Sequence, residues 1–95
     1  MMKQVMRLAF AGSALAIVFG AVPAQAAGYG FCRSYAGTAV EQFARAEANP
    51  YCAERIGGLR WHANYGQHFN WCLGADPWTA QHETEARSRM LHHCM

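Results

Sequence analysis

The chain has a single lysine, Lys3, and no apolar run as long as the roughly 20 residues that a bilayer-spanning helix requires. It has no C-x-x-C pair, no G-x-S-x-G, no glycine-rich phosphate loop and no H-E-x-x-H. Each absence removes a class of function. Structural zinc sites bring their ligands in close pairs, and that spacing is missing. The usual local signs of serine hydrolases, nucleotide binders and zinc peptidases are missing as well. With Lys3 and Arg7 set aside, 8 − 2 = 6 basic residues remain, all arginine, against 6 acidic ones. A net charge of zero argues against nucleic acid and anionic membrane as partners, because phosphate binding depends on a basic surplus.

Lys3 and Arg7 are set aside for a reason. They precede Leu8–Val22, an apolar and small-residue run of 15 residues, which leads to Ala24-Gln25-Ala26. A basic start, a short apolar stretch and a small-x-small triplet are the parts of an export signal. Residues 1–26 are therefore expected to be a signal peptide cleaved after Ala26, leaving residues 27–95 as one small helical disulfide domain. No cysteine follows the apolar run directly, so no lipid anchor is expected, nor stable membrane insertion after cleavage. The expected location is the periplasm or the medium. All five histidines fall in residues 27–95, so the domain gains positive charge below about pH 6.5, the ordinary imidazole pKa.

Hydrophobic periodicity predicts an all-α fold: two main antiparallel helices plus one short helix. The first runs from about Cys32 to Ala48. Tyr35, Ala46, Ala39, Cys32, Phe43, Ala36 and Val40 share an arc of about 140° at 100° per residue. Asn49-Pro50 ends it, because the residue before proline is disfavoured in the α region. Tyr51 to Ala63 reads as irregular, with a turn at Gly57-Gly58. Asn64 reads as an N-cap, with Gln67 as the reciprocal partner of a capping box, and a short helix follows from Tyr65 to Leu73. Asp76-Pro77 starts a last helix that reaches about His93. On it Ala80, Glu83, Arg87, Met90, Leu91 and Cys94 share an arc of about 100°, so Glu83 and Arg87 are expected to form a partly covered ion pair.

Four cysteines, at spacings of 20, 20 and 22 residues, make a disulfide composition for an exported chain of this size. Three connectivities are open. If the main helices pack antiparallel, Cys32 meets Cys94 and Cys52 meets Cys72, and this nested pairing is the favoured expectation. It would close loops of about 60 and 20 residues, suggesting roughly 4 and 3 kcal/mol in the chain-entropy model.

Four segments, C-x-x-Y-A-x-x-A-V-x-Q (Cys32 to Gln42), G-x-R-W (Gly58 to Trp61), H-x-x-W-C (His68 to Cys72) and E-x-x-x-R-x-x-x-L-x-x-C (Glu83 to Cys94), cover nearly the whole expected domain. Together they resemble a small cysteine- and tryptophan-containing module of exported proteobacterial proteins. The resemblance implies a module that stands alone or recurs within longer exported chains. It brings no activity, cofactor or catalytic residue with it. Asn64 stands where an acidic residue is as common in that pattern, a harmless change for a cap.

The richest stretch is RWHANYGQHFNWC, Arg60 to Cys72, with two tryptophans, two histidines, a tyrosine and a phenylalanine. The first expectation is packing, with Trp61, Trp71 and His68 in the core and their N–H groups on loop carbonyls. The functional expectation is a shallow aromatic groove around Trp61, Tyr65, His68 and Trp78, able to stack on a sugar, a peptide aromatic or a cation. No metal, cofactor or catalytic residue is assigned. His82 and His93 stand about 16 Å apart along the helix, and the neighbours His92 and His93 splay by about 100°. Glu83 and Glu85 diverge by about 160°, too far to flank one bond. The expected function is a non-catalytic binding or structural module acting on another macromolecule outside the cytoplasm. The alternatives are a metal or haem carrier using His92 and His93, and a secreted inhibitor or toxin-like effector presenting Asn49 to Gly58. Intact mass of the exported protein should correspond to a chain starting at Ala27, with no thiol open to alkylation. A retained leader, or uptake of the reagent without prior reduction, contradicts this.

Overall fold

The computed structural model describes residues 26–95, so the expected signal peptide lies, except for Ala26, outside the described residues. Those residues form four helices: α1, Tyr29–Glu47; α2, Pro50–Ala53; α3, Tyr65–Leu73; and α4, Pro77–Cys94. The all-α, disulfide-stapled class read from periodicity is the one observed. No described helix is long and apolar enough to cross a membrane.

The start signals act as their chemistry dictates. Asn49 is extended, as a residue before proline must be, so α1 stops there. Its Oδ1 then accepts the N–H groups of Tyr51 at 2.9 Å and Cys52 at 3.1 Å, so the dipeptide that ends α1 also starts α2. α2 has only four residues, too few for a periodic pattern, and from Tyr51 on lies within the stretch expected to be irregular. The Asn64 Oδ1 accepts Gln67 N–H at 3.0 Å, but Gln67 does not return the bond. Asn64 N–H donates instead to Nδ1 of His62, at 3.2 Å. Asp76 caps α4 through Thr79 N–H at 2.8 Å and the Thr79 hydroxyl at 3.0 Å, bonds that hold its carboxyl below the usual carboxylate range.

The direction of packing departs from expectation. Gln42, late in α1, meets Thr84 and Ser88 of α4, whereas Phe31 and Ser34, early in α1, share a groove with Gln81 and Thr84. Arg45 then shares one with Leu91 and Met95. Moving forward along α1 is moving forward along α4, so the two long helices run in the same direction. The reason lies between them. α1 has 19 residues and is about 28 Å long. The non-helical stretch 54–64 can reach back over up to roughly 36 Å. It returns the chain to the first half of α1, where the Tyr65 hydroxyl at the start of α3 donates to the Arg33 carbonyl. α3 then leads to the Ala75 carbonyl, which accepts Ala27 N–H at 2.9 Å, and α4 sets out from there.

That geometry decides the crosslinks. The disulfides are Cys32–Cys72 and Cys52–Cys94, and the nested pairing Cys32–Cys94 with Cys52–Cys72 is not formed. With α1 and α4 parallel, the start of one and the end of the other lie at opposite ends of the domain. Cys32 therefore meets α3 and Cys94 meets α2. Each bridge sits in its own apolar cluster: Ala27, Tyr35 and Ala80 around Cys32 and Cys72, and Ala46, Trp61 and Leu91 around Cys52 and Cys94. The loops span 40 and 42 residues, so each bridge contributes about 4 kcal/mol in the chain-entropy model. Peptide mapping should recover these two pairs, and Cys52→Ala/Cys94→Ala should lower unfolding stability by about that amount in denaturant titrations. A nested map, or a double variant as stable as the native chain, contradicts the fold.

Candidate functional site

Between the two clusters the interior is polar. Arg87, in the middle of α4, is 1% exposed. Its Nε–H donates to the Arg60 carbonyl at 2.9 Å, Nη2 to the Tyr35 hydroxyl at 2.7 Å and Nη1 to Gln42 Oε1 at 3.4 Å. Gln42 is itself buried, and its Nε2 donates to the Thr84 carbonyl and the Ser88 hydroxyl, both at 3.1 Å. A buried guanidinium cannot shed its proton, so it must be hydrogen-bonded in place. Here every acceptor is neutral.

The expected Glu83–Arg87 pair is not formed. Glu83 turns to Arg60, which approaches both of its oxygens, Nε at 2.7 Å and Nη2 at 3.1 Å. This two-pronged contact lowers the Glu83 carboxyl pKa and raises that of Arg60. Arg60 comes from the return stretch, and helix periodicity holds no information about it.

Beside this clamp two imidazoles stack, His62 on His68, with ring centres 3.9 Å apart and planes 9° from parallel. Their hydrogen bonds fix the tautomers. His68 Nε2 lies 3.0 Å from the His62 carbonyl, which can only accept, so Nε2 carries the hydrogen. His62 Nδ1 accepts from Asn64 N–H, so in the neutral ring the hydrogen is on Nε2. Burial pushes the His68 pKa below the ordinary imidazole value, with the neighbouring His62 and Arg87 acting in the same sense against its carbonyl hydrogen bond.

These groups line a cleft of about 460 Å³ to which α1, the return stretch, α3 and α4 all contribute. Tyr35 comes from α1, and Glu83 and Arg87 from α4. Trp71 of α3 lies 5.5 Å from the Tyr35 ring and is 43% exposed, and Leu59 at the turn is 88% exposed. Leu59 stands out because Gly58 has φ +83°, a left-handed turn that glycine adopts without strain.

Of the four residues expected to form an aromatic groove, only His68 lines this cleft. Trp61 is 8% exposed and belongs to the second apolar cluster. Tyr65 stacks on Phe69, centres 6.2 Å apart, and Trp78, 71% exposed, leans on His82 at 4.0 Å. Trp71, assigned to the core by its helix angle, is instead at the cleft. Arg60, Leu59 and Tyr35 were missed as site residues. The adjacency of Arg60 to the Trp61–His62 cluster was the available signal. His92 and His93 have ring centres 6.1 Å apart, and among the described residues no three His, Cys, Asp or Glu side chains converge as metal ligands do. Neither family models, nor characterised proteins, nor solved structures show a match to this chain.

Two outcomes follow for stability. Tyr35→Phe removes the acceptor of the shortest Arg87 bond and should destabilise by about 1–3 kcal/mol, read from the urea midpoint. An unchanged midpoint contradicts the network. Because the folded state holds the His68 pKa down, the unfolded chain binds its proton first, and stability falls as pH drops below about 6.5. His68→Gln should be less stable at pH 7 yet lose less on going to pH 5. A slope as steep as that of the native protein assigns the pH effect elsewhere.

Proposed function

We propose that the protein is a non-catalytic binding module that acts outside the cytoplasm and contacts another macromolecule through the cleft over Tyr35. One observation carries this reading: a buried, firmly hydrogen-bonded polar layer underlies a cleft whose rim carries exposed apolar side chains, Trp71 and Leu59. An exposed leucine on a turn beside a half-exposed indole is surface that a partner would cover, and aromatic anchors at such rims carry much of a binding energy. The cleft volume, about 460 Å³, falls in the range of sites that hold a small ligand or one or two partner side chains. The cleft's titratable side chains are already engaged, Glu83 by Arg60 and His68 by the His62 carbonyl, which suits holding a partner better than moving protons.

Two disulfides are compatible with an oxidising, extracytoplasmic location. Together with the signal-like residues 1–26, they support export to the periplasm or the medium. The absence of net charge on residues 27–95 implies that association depends little on salt at pH 7, and more at pH 5 as histidines gain protons.

Selection of a displayed peptide library on the immobilised, oxidised protein tests the reading. Selected peptides should lose at least tenfold in affinity for Trp71→Ala and for Leu59→Ser, and little for Trp78→Ala. Binders indifferent to Trp71 and Leu59, or a selection that yields none, would overturn the proposal.

A further inference from the structure

We infer that the cleft's occupant presents one carboxylate beside an apolar ring, as a C-terminal aromatic residue of a polypeptide does. This rests on the binding reading above and adds the charge and shape of the ligand.

The cleft holds two guanidinium groups, Arg60 and Arg87, against one carboxylate, Glu83. Arg60 takes both Glu83 oxygens, which leaves the Arg87 charge with a carbonyl, a hydroxyl and an amide oxygen as its partners. Among the described residues, the ion pairs within 4 Å are Arg60–Glu83 and Arg55–Glu54, so Arg87 has no acidic partner at that range. Three of the five N–H groups of Arg87 are used and the residue is 1% exposed, so its charge acts on the cleft through space rather than by contact. Burying a cation without a counter-charge is unfavourable, and in a poorly solvated site an anion at the cleft floor offsets it. The surplus is one unit. A single carboxylate matches it, whereas a phosphate monoester, with a charge of about −1.5 to −2, overshoots.

The indole of Trp71 leans over the Tyr35 ring, and the stacked rings of His62 and His68 line the cleft with them. Leu59 completes an apolar rim. Flat apolar walls suit an arene more than a sugar, whose hydroxyls would need a ring of matched polar partners. A C-terminal aromatic residue places its ring and its carboxylate on the same Cα, which joins both features in a space of this size, and the open mouth lets the preceding chain leave.

Titration calorimetry on the native, oxidised protein tests this with the peptide Gly-Gly-Gly-Phe, as its free acid and as its C-terminal amide. The acid should bind at least tenfold more tightly than the amide. Glu83→Gln, which frees Arg60, should raise the acid-to-amide affinity ratio at least threefold. Equal binding of acid and amide would overturn this inference and leave the cleft as a charge-indifferent binding site. Failure of both peptides, while library-selected peptides still bind through Trp71, would overturn the ligand chemistry alone. If 3-phenylpropionate binds as tightly as the peptide acid, the occupant is a small acid and the polypeptide assignment falls. The acid-to-amide ratio on the native protein decides the matter even if the Glu83 variant folds poorly.

Discussion

Each disulfide joins one of the first two helices to one of the last two, and each forms the centre of a small apolar cluster. Neither cluster is large, and several of its members are alanines. A chain of this size buries too little apolar surface to be comfortably stable on that alone. The crosslinks restrict the unfolded ensemble, and the alanines let α1 and α4 come close enough to bury what lies between them. The remaining features of the molecule depend on those two fixed points.

What lies between them is a polar layer. Held from both ends, α1 and α4 bring Tyr35 and Gln42 against Arg87, where a looser domain would leave the guanidinium to water. The layer also fixes the return stretch, because the Arg60 carbonyl accepts from Arg87 while the Arg60 side chain grips Glu83. His62 follows two residues later and is pinned between Asn64 and the ring of His68. A segment with little regular structure thus becomes one wall of a cleft with set geometry. The same polar contacts that stabilise the middle of the domain leave it with an unmatched positive charge and an apolar rim.

The local features were legible in the residues. The Asn64 and Asp76 caps, the stop at Asn49-Pro50 and the extents of α3 and α4 rest on short-range chemistry that any chain of this sequence would share. The inward faces of α1 and α4 followed from periodicity, with Cys32, Tyr35, Ala36, Ala39, Ala46, Ala80, Arg87, Leu91 and Cys94 all buried. Periodicity failed on α3. Six of its nine residues, Tyr65, His68, Phe69, Trp71, Cys72 and Leu73, fall on one broad side, so helix angle could not tell Trp71, half-exposed, from Cys72, buried. Gln42 is buried without having been placed on the apolar arc, because burial of an amide depends on a partner from another helix.

Composition and spacing therefore determined the class of molecule: helical, with four cysteines suited to pairing, and neutral beyond Lys3 and Arg7. They could not determine how the two long helices are oriented, because an amphipathic face packs equally well against a neighbour running either way. The return of residues 54–64 settled that orientation, and with it the disulfide pairing. The cleft came last in the same chain of causes. Its walls lie up to 52 positions apart in sequence, as Tyr35 and Arg87 do, and only the folded backbone brings them within hydrogen-bonding reach.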